Sequence, residues 1–315
     1  MITVQNVSHL YGGSRKRSSR LALDRLALQV EKGEFLVFTG PNGGGKSTLF
    51  RILCGVQLPS FGQVHLNGID LLRHPLQARQ YMGVVFQKPA LDPHLTVLEN
   101  LRIHADLYQI PPALFHQRLE ESLLWSGLGD RLHDPVKTLS GGLARQVELI
   151  KALLHNPPLL LMDEPTTGLD PGVRRRFLDN IKAIRRQRSL TVVMTSHIFT
   201  EAEEADRVAI LQQGRLLALD TPANLKATLG REMLVIRCPA PQPILDWLAQ
   251  RPTVQFSEID DEIRVEGANM ESLLTEILAT FRQEIRSLSI KQPDLEDVYI
   301  HLTNTTPMDE KEVAA

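Results

Sequence analysis

The sequence has little of what would hold a protein together outside a cell. Its 315 residues include only two cysteines, Cys54 and Cys238, far apart and without CxxC or metal-ligand spacing. That excludes a disulfide framework and suits a reducing compartment. Charge of one sign is also lacking: 35 Lys and Arg stand against 37 Asp and Glu, a formal net charge of −2. So small a sum exerts no overall pull toward nucleic acid or an anionic membrane surface. Long apolar runs are absent. The stretch ending at Met162 falls far short of the roughly 20 residues that span a bilayer. If the protein acts on a membrane, another chain supplies the passage. The opening MITVQNVSHLY has no basic segment followed by an apolar stretch, so no secretory signal is expected. The expected location is the cytoplasm.

What is present is an ordinary globular composition, 43% hydrophobic and 23% charged, over a length that suggests about two domains. Apolar runs at Phe35 to Phe38, Val84 to Phe86, Leu159 to Met162 and Thr191 to Met194 alternate with longer helical patterns. Continuous apolar strands are what a parallel sheet covered on both faces requires, so the core reads as α/β. ITVQNVSHLY, Leu21 to Val30 and QVHLNGIDL alternate more like antiparallel strands, the last with a turn at Asn67-Gly68. A β-rich subdomain is expected beside the core. A helical insertion is expected from about 95 to 140. After Gly230 the order becomes β-α-β-β-α-β, which predicts a small α+β, ferredoxin-like domain over residues 231–303. The tail, 304–315, is expected to be disordered. The basic loop 14–20, SRKRSSR, reads as a solvated insertion without assigned function.

The chemistry concentrates in three places. Gly40-Pro41-Asn42-Gly43-Gly44-Gly45-Lys46-Ser47-Thr48 fits G-x-x-x-x-G-K-[ST] between an apolar strand and a helical pattern, the context a phosphate loop needs. Its glycines let backbone amides wrap phosphates, Lys46 can reach the terminal phosphates and Ser47 can hold magnesium. Leu159 to Met162 is an apolar strand ending in Asp163 and Glu164, at the sheet edge where ligands bind. Asp163 can reach magnesium, directly or through water, and Glu164 can orient and deprotonate a water. Leu139-Ser140-Gly141-Gly142 opens a long helical pattern and offers a second phosphate grip.

Two phosphate-gripping loops for one nucleotide resemble the nucleotide-binding subunit of ATP-binding-cassette (ABC) transporters. The resemblance covers residues 1 to about 230, a P-loop cassette fold. It implies that Ser140, Gly141 and Gly142 complete the ATP site of an opposite subunit in a head-to-tail dimer. It further implies that Tyr11 stacks on adenine, that Gln87 touches magnesium and relays its state, and that His197 faces the γ-phosphate. Asp170, in Gly168-Leu169-Asp170, belongs to the loop that crosses the dimer. Leu143 stands where many members have glutamine, and Gln146 where arginine is common; neither removes a phosphate contact.

The end LEDVYIHLT and the phrase Leu169-Asp170-Pro171-Gly172-Val173-Arg174 are similar to type 2 ABC exporters. The implied activity is ATP hydrolysis, with ATP and Mg2+, by a dimer on the cytoplasmic face that drives export through a separate permease, without inserting in the membrane. An importer subunit is the nearer alternative. A soluble cassette ATPase acting on DNA or ribosomes is disfavoured, since roughly 90 residues without sustained heptads separate Lys46 from Ser140, and no nucleic-acid partner is expected. The groove for the permease is expected in the loop 88–99, at Leu91 and Leu95.

Overall fold

The computed structural model describes residues 1–12, 20–230, 232–251, 254–259, 262–267 and 270–305. Most of the basic loop and most of the tail lie outside them. The chain divides into two compact units, Met1–Leu219 and Asp220–Ala315, whereas the sequence reading places the change at Gly230.

In the first unit the elements run β1 (Ile2–Tyr11), β2 (Arg20–Val30), β3 (Phe35–Thr39), α1 (Lys46–Leu53), β4 (Phe61–Leu66), β5 (Ile69–Asp70), α2 (Pro75–Arg79) and β6 (Met82–Val85). There follow α3 (Val97–Leu107), α4 (Pro112–Ser126), α5 (Gly141–Leu153), β7 (Leu159–Asp163), α6 (Pro171–Arg188), β8 (Thr191–Thr195), α7 (Phe199–Ala202), β9 (Arg207–Gln212) and β10 (Arg215–Asp220).

Two sheets result. The antiparallel one has the order β2-β1-β4-β5. Its β4–β5 hairpin turns at Asn67 and Gly68, both at positive φ, 49° and 81°, which is what the two-residue Asn-Gly turn demands. The other sheet has the order β10-β9-β3-β8-β7-β6, with β9, β3, β8, β7 and β6 parallel. Every residue of β3, β7 and β8 is buried, as a doubly covered sheet requires. Strand β6 starts two residues before the expected Val84 and omits Phe86, because the Phe86 carbonyl accepts from Arg145 at 2.6 Å. Side chains from both sheets and α1 fill one core. The helical insertion builds its own around Val97, Leu101, Phe115, Leu119, Val147 and Ile150. Helix α3 starts on a capping box in which Thr96 and Glu99 exchange hydrogen bonds, worth about 1 kcal/mol.

The second unit comprises α8 (Pro222–Ala227), β11 (Met233–Arg237), α9 (Gln242–Ala249), β12 (Val254–Ile259), β13 (Glu262–Gly267), α10 (Met270–Phe281), β14 (Ser287–Lys291) and α11 (Leu295–Thr305). Its antiparallel sheet has the order β12-β13-β11-β14 and an apolar core of its own. Helix α11 occupies the LEDVYIHLT segment, for which the sequence pattern gave no element, and carries Asn304 and Thr305 of the expected tail. Asp297 explains that helix: it is 1% exposed, accepts from Arg264 at 2.6 Å and from the Asp294 amide at 2.9 Å, and pairs with Lys291 at 2.8 Å. An acid in the first turn complements the helix dipole.

A cavity of about 530 Å³ in the first unit is lined by the turn after α1 and by residues of α2, β6, α3 and α5. Tyr108 stacks on His155 at 3.9 Å and lies 4.9 Å from His104, ring centre to ring centre. Burial pushes both imidazoles down to about 4, so they are neutral in the folded chain. An unfolded chain takes up these protons below about pH 6.5, the folded one only near 4. Stability from this pair is therefore full above pH 6.5 and lost as pH falls toward 4, by about 2 kcal/mol per histidine at pH 5. Urea unfolding at pH 7 and pH 5 should show that loss, and His104→Gln with His155→Gln should flatten it.

Candidate active site

The phosphate loop, residues 40–48, leaves β3 at the carboxyl edge of the parallel sheet and enters α1. Two of its glycines are required by space as well as by φ. At Gly40, φ 132°, a Cβ would lie 2.1 Å from the Leu211 carbonyl oxygen; at Gly45, φ 104°, it would lie 2.8 Å from that of Ala22. Lys46 is 4% exposed and donates to the carbonyls of Gly40 at 2.7 Å and Pro41 at 2.9 Å. Burial lowers its basicity, while the carboxylates of Glu164 and Asp163 oppose that shift. A cation is thus stored at the base of a loop that lines an open cavity of about 160 Å³.

That cavity brings together Tyr11, Asn42, Gly43, Gly45, Lys46, Ser47, Thr48 and Glu164. It also receives Arg20 and Ala22, which sequence reading left without a role. Arg20 was hidden at the end of a basic run that looked like a solvated loop, yet it opens β2 and its guanidinium stands 3.4 Å from where a Gly43 Cβ would sit. An arginine there adds positive charge beside a polyanion site.

Glu164 lies one residue past β7 at φ 43°, an uncommon left-handed conformation for a residue with a Cβ. Its amide donates to Thr195 Oγ1 at 3.0 Å and to the Thr195 carbonyl at 3.1 Å. Its carboxylate Oε2 accepts from Gln87 Nε2 at 3.0 Å and Thr167 Oγ1 at 3.2 Å, and meets His197 Nδ1 at 3.2 Å. Three residues far apart in sequence thus converge on one oxygen. Asp163, 8% exposed, accepts from the Thr195 hydroxyl at 2.6 Å. Burial raises its pKa against that hydrogen bond, and neighbouring Glu164 raises it further.

Ser140 and Asp170 are not among the residues lining this cavity. Each caps a helix: Ser140 Oγ accepts from the Leu143 amide at 3.3 Å, and Asp170 Oδ1 from the Val173 amide at 3.0 Å. Ser140 and Gly141 are exposed and Gly142 is half-buried against Val173.

Fold and site together define a P-loop ATPase of the cassette type. The chain belongs to the ABC transporter family, as an ATP-binding, ATP-hydrolysing subunit: the family model described as ABC transporter matches residues 23–167, and relatives over 30% identical align over most of the chain. The linearmycin resistance ATP-binding protein LnrL of Bacillus subtilis is 31% identical over 98% of this chain and 100% of that protein. The Nod factor export ATP-binding protein I of Cupriavidus metallidurans is 33% identical over 83% of this chain and 84% of that protein. Among solved structures, a dimeric ATP-binding cassette in a post-hydrolysis state with ADP and phosphate superimposes with a TM-score of 0.64, at 28% identity over 70% of this chain and 98% of that one.

Arg145, in α5, is a site residue that sequence reading missed. It is 4% exposed and its guanidinium donates to the Phe86 carbonyl at 2.6 Å and the Gln87 carbonyl at 2.7 Å. It thereby fixes the backbone from which Gln87 reaches Glu164. Arg145→Met should destabilise the chain by about 1–3 kcal/mol in urea unfolding. It should also lower kcat for ATP hydrolysis about tenfold or more while KM for ATP changes by less than threefold.

Proposed function

We propose that the chain is the motor of an exporter: two copies clamp two ATP molecules, pull on separate membrane subunits as they close, and reopen when ATP is hydrolysed. Subunits of this family generally pair with membrane permeases and dimerise. The export direction rests on the names of relatives that span most of the chain, linearmycin resistance and Nod factor export. The C-terminal unit, whose strand order and antiparallel sheet suit a ferredoxin-like module, agrees with that group. No helix among the described residues is long and apolar enough to cross a membrane, consistent with a subunit that sits on the cytoplasmic face.

The observation that carries the mechanism is the convergence of Gln87, Thr167 and His197 on Glu164 Oε2. Glu164 is the group suited to accept the proton of an attacking water, and His197 to face the terminal phosphate. Lys46 and the loop amides hold the phosphate chain, and Tyr11 supplies the face for the base. Ser140, Gly141 and Gly142 of one copy cap the ATP held by the other, with Asp170 in the loop between them. Ser47, Asp163 and Gln87 form an oxygen-rich donor set that fits Mg2+. Among the described residues no cluster of three His, Cys, Asp or Glu could hold a metal alone, so phosphate oxygens and water would complete the shell. Held by these residues, Mg2+ would supply positive charge against that developing on the phosphates.

Glu164→Gln keeps size and hydrogen-bonding reach but removes the base. Turnover should fall about 10²–10⁴-fold with ATP affinity nearly unchanged, and the variant should accumulate as an ATP-bound dimer in size-exclusion chromatography. Lys46→Ala should instead lose nucleotide binding and dimer formation together. Parent-rate hydrolysis by Glu164→Gln would remove Glu164 from the base role.

The permease groove is better placed in the 530 Å³ cavity than on Leu91 and Leu95. Leu91 packs against the core of the helical insertion, and the Leu95 carbonyl accepts the Val136 amide at 3.0 Å. The cavity offers exposed Val56, at 63%, and Tyr108, at 37%, over an apolar floor that includes Val84 and Phe86, a surface suited to a short amphipathic helix. Val56→Asp with Tyr108→Asp should abolish co-purification of the permease while the isolated subunit still binds ATP. Unchanged co-purification would move the contact elsewhere.

A further inference from the structure

Tyr11 is held more firmly than an edge tyrosine needs to be. It ends β1 and is 37% exposed, yet its hydroxyl donates to Gln57 Oε1 at 2.9 Å and lies 3.3 Å from Thr48 Oγ1. The Gln57 amide nitrogen in turn contacts His9 Nε2, and the His9 ring meets the Tyr11 ring edge-on, 4.6 Å between centres. Because Gln57 Oε1 accepts from the phenol, its Nε2 is the donor toward His9, and His9 Nε2 is the acceptor. The phenol oxygen, having donated its proton, can accept from Thr48. The bonds therefore run in one direction, from Thr48 through Tyr11 and Gln57 to His9.

The segment carrying Gln57 is itself anchored. The Val56 and Gln57 amides donate to the Arg51 carbonyl at 2.9 and 3.2 Å. Ser60 donates its amide to the Ser8 carbonyl at 2.9 Å and accepts the Leu10 amide on its hydroxyl at 3.0 Å. Gln57 thus sits on a loop pinned at one end to α1, whose first turn holds the phosphate loop's Thr48, and at the other to β1, which ends in Tyr11.

We propose that Gln57, backed by His9, is a positioning residue for the nucleotide base: it locks the Tyr11 ring at a fixed distance and tilt from the phosphate loop. This rests on the reading of Tyr11 as the face on which the base stacks. A stacking ring free to rotate must be ordered when ATP binds, and ordering a side chain costs free energy that a preset ring does not spend. Gln57 is then a specificity device for the base end of ATP and has no part in the chemistry at the phosphates.

The test is steady-state ATP hydrolysis by the full chain, with inorganic tripolyphosphate, which has no base, as a competing inhibitor. Gln57→Leu should raise KM for ATP about three- to tenfold, the worth of one net hydrogen bond. It should leave kcat within twofold and the tripolyphosphate inhibition constant unchanged. Tyr11→Phe should behave alike, and the double variant Gln57→Leu with Tyr11→Phe should be no worse than either single one. Gln57→Glu should rescue, since a carboxylate still accepts from Tyr11 and His9 can donate from its other tautomer. The proposal is overturned if Gln57→Leu weakens tripolyphosphate as much as ATP, if the two single effects add in the double variant, or if Gln57→Leu leaves KM unchanged while Tyr11→Ala raises it. If Tyr11→Ala itself leaves KM for ATP unchanged, the stacking reading fails, and the positioning role falls with it.

Discussion

The site depends on keeping one lysine charge poised inside the protein. Lys46 is 4% exposed, and a buried ammonium is costly unless its hydrogens are taken up. Here the phosphate loop supplies the acceptors itself, through the carbonyls of Gly40 and Pro41. The same loop takes positive φ at Gly40, Gly43 and Gly45, conformations open to glycine. It also presses Gly40 against the Leu211 carbonyl, so β9 must lie beside β3, which the sheet order provides. Opposite charge comes from Asp163 and Glu164 at the end of β7. The strand order, the glycines and the two acids are thus parts of one solution to a buried charge.

That solution was largely legible in the sequence because it is local. The loop spacing, the apolar strands at Phe35, Leu159 and Thr191, and the pair of acids after Met162 are short-range patterns with strong physical reasons, and each stands in the structure as an element at the expected edge. Boundaries were less legible. Phe86 looks like a strand residue by hydrophobicity, and what takes it out of the ladder is a guanidinium 59 positions away. Helix α11 escaped notice because its buried Asp297 reads as a surface acid until Arg264 and Lys291 are seen beside it.

Arg20 apart, the residues that sequence reasoning missed share a property: they act through other residues. Thr195 donates to Asp163 and accepts from Glu164, Arg145 holds the Gln87 backbone, and Gln57 holds Tyr11. None belongs to a motif whose chemistry can be deduced from spacing, since each partner lies tens of residues away and is found only when strands are set side by side. Thr195 at least carried a signal. A threonine ending a fully buried strand next to an acid-bearing strand needs an acceptor for its hydroxyl, and Thr195 is fully buried. Arg145 carried none: beside Gln146 and on one face with Glu148 and Lys151 it reads as a surface arginine, and only its 4% exposure shows that its hydrogens need carbonyls to take them.

Helix α5 shows why such supporting contacts bear on coupling and not only on stability. Arg145, Glu148 and Lys151 follow one another at intervals of three, which places them along one face of the helix. From that face Arg145 grips the carbonyls of Phe86 and Gln87, Glu148 accepts the Ala90 amide at 3.2 Å and Lys151 donates to the Ala90 carbonyl at 2.7 Å. The segment that carries Gln87 is therefore bolted to α5 at several backbone points and cannot shift without it. The same helix begins at Ser140, the loop proposed to cap the partner's ATP, and its Glu148 and Lys151 line the proposed permease groove. A change of state at Glu164 reaches Gln87 through one hydrogen bond. From there it meets a rigid rod rather than a flexible loop. Hydrolysis can bias the clamp only to the extent that the two states of that rod make different contacts with nucleotide and permease. Both proposed contacts lie on a single helix, one at its start and one on its flank, so that one rigid displacement would alter them together.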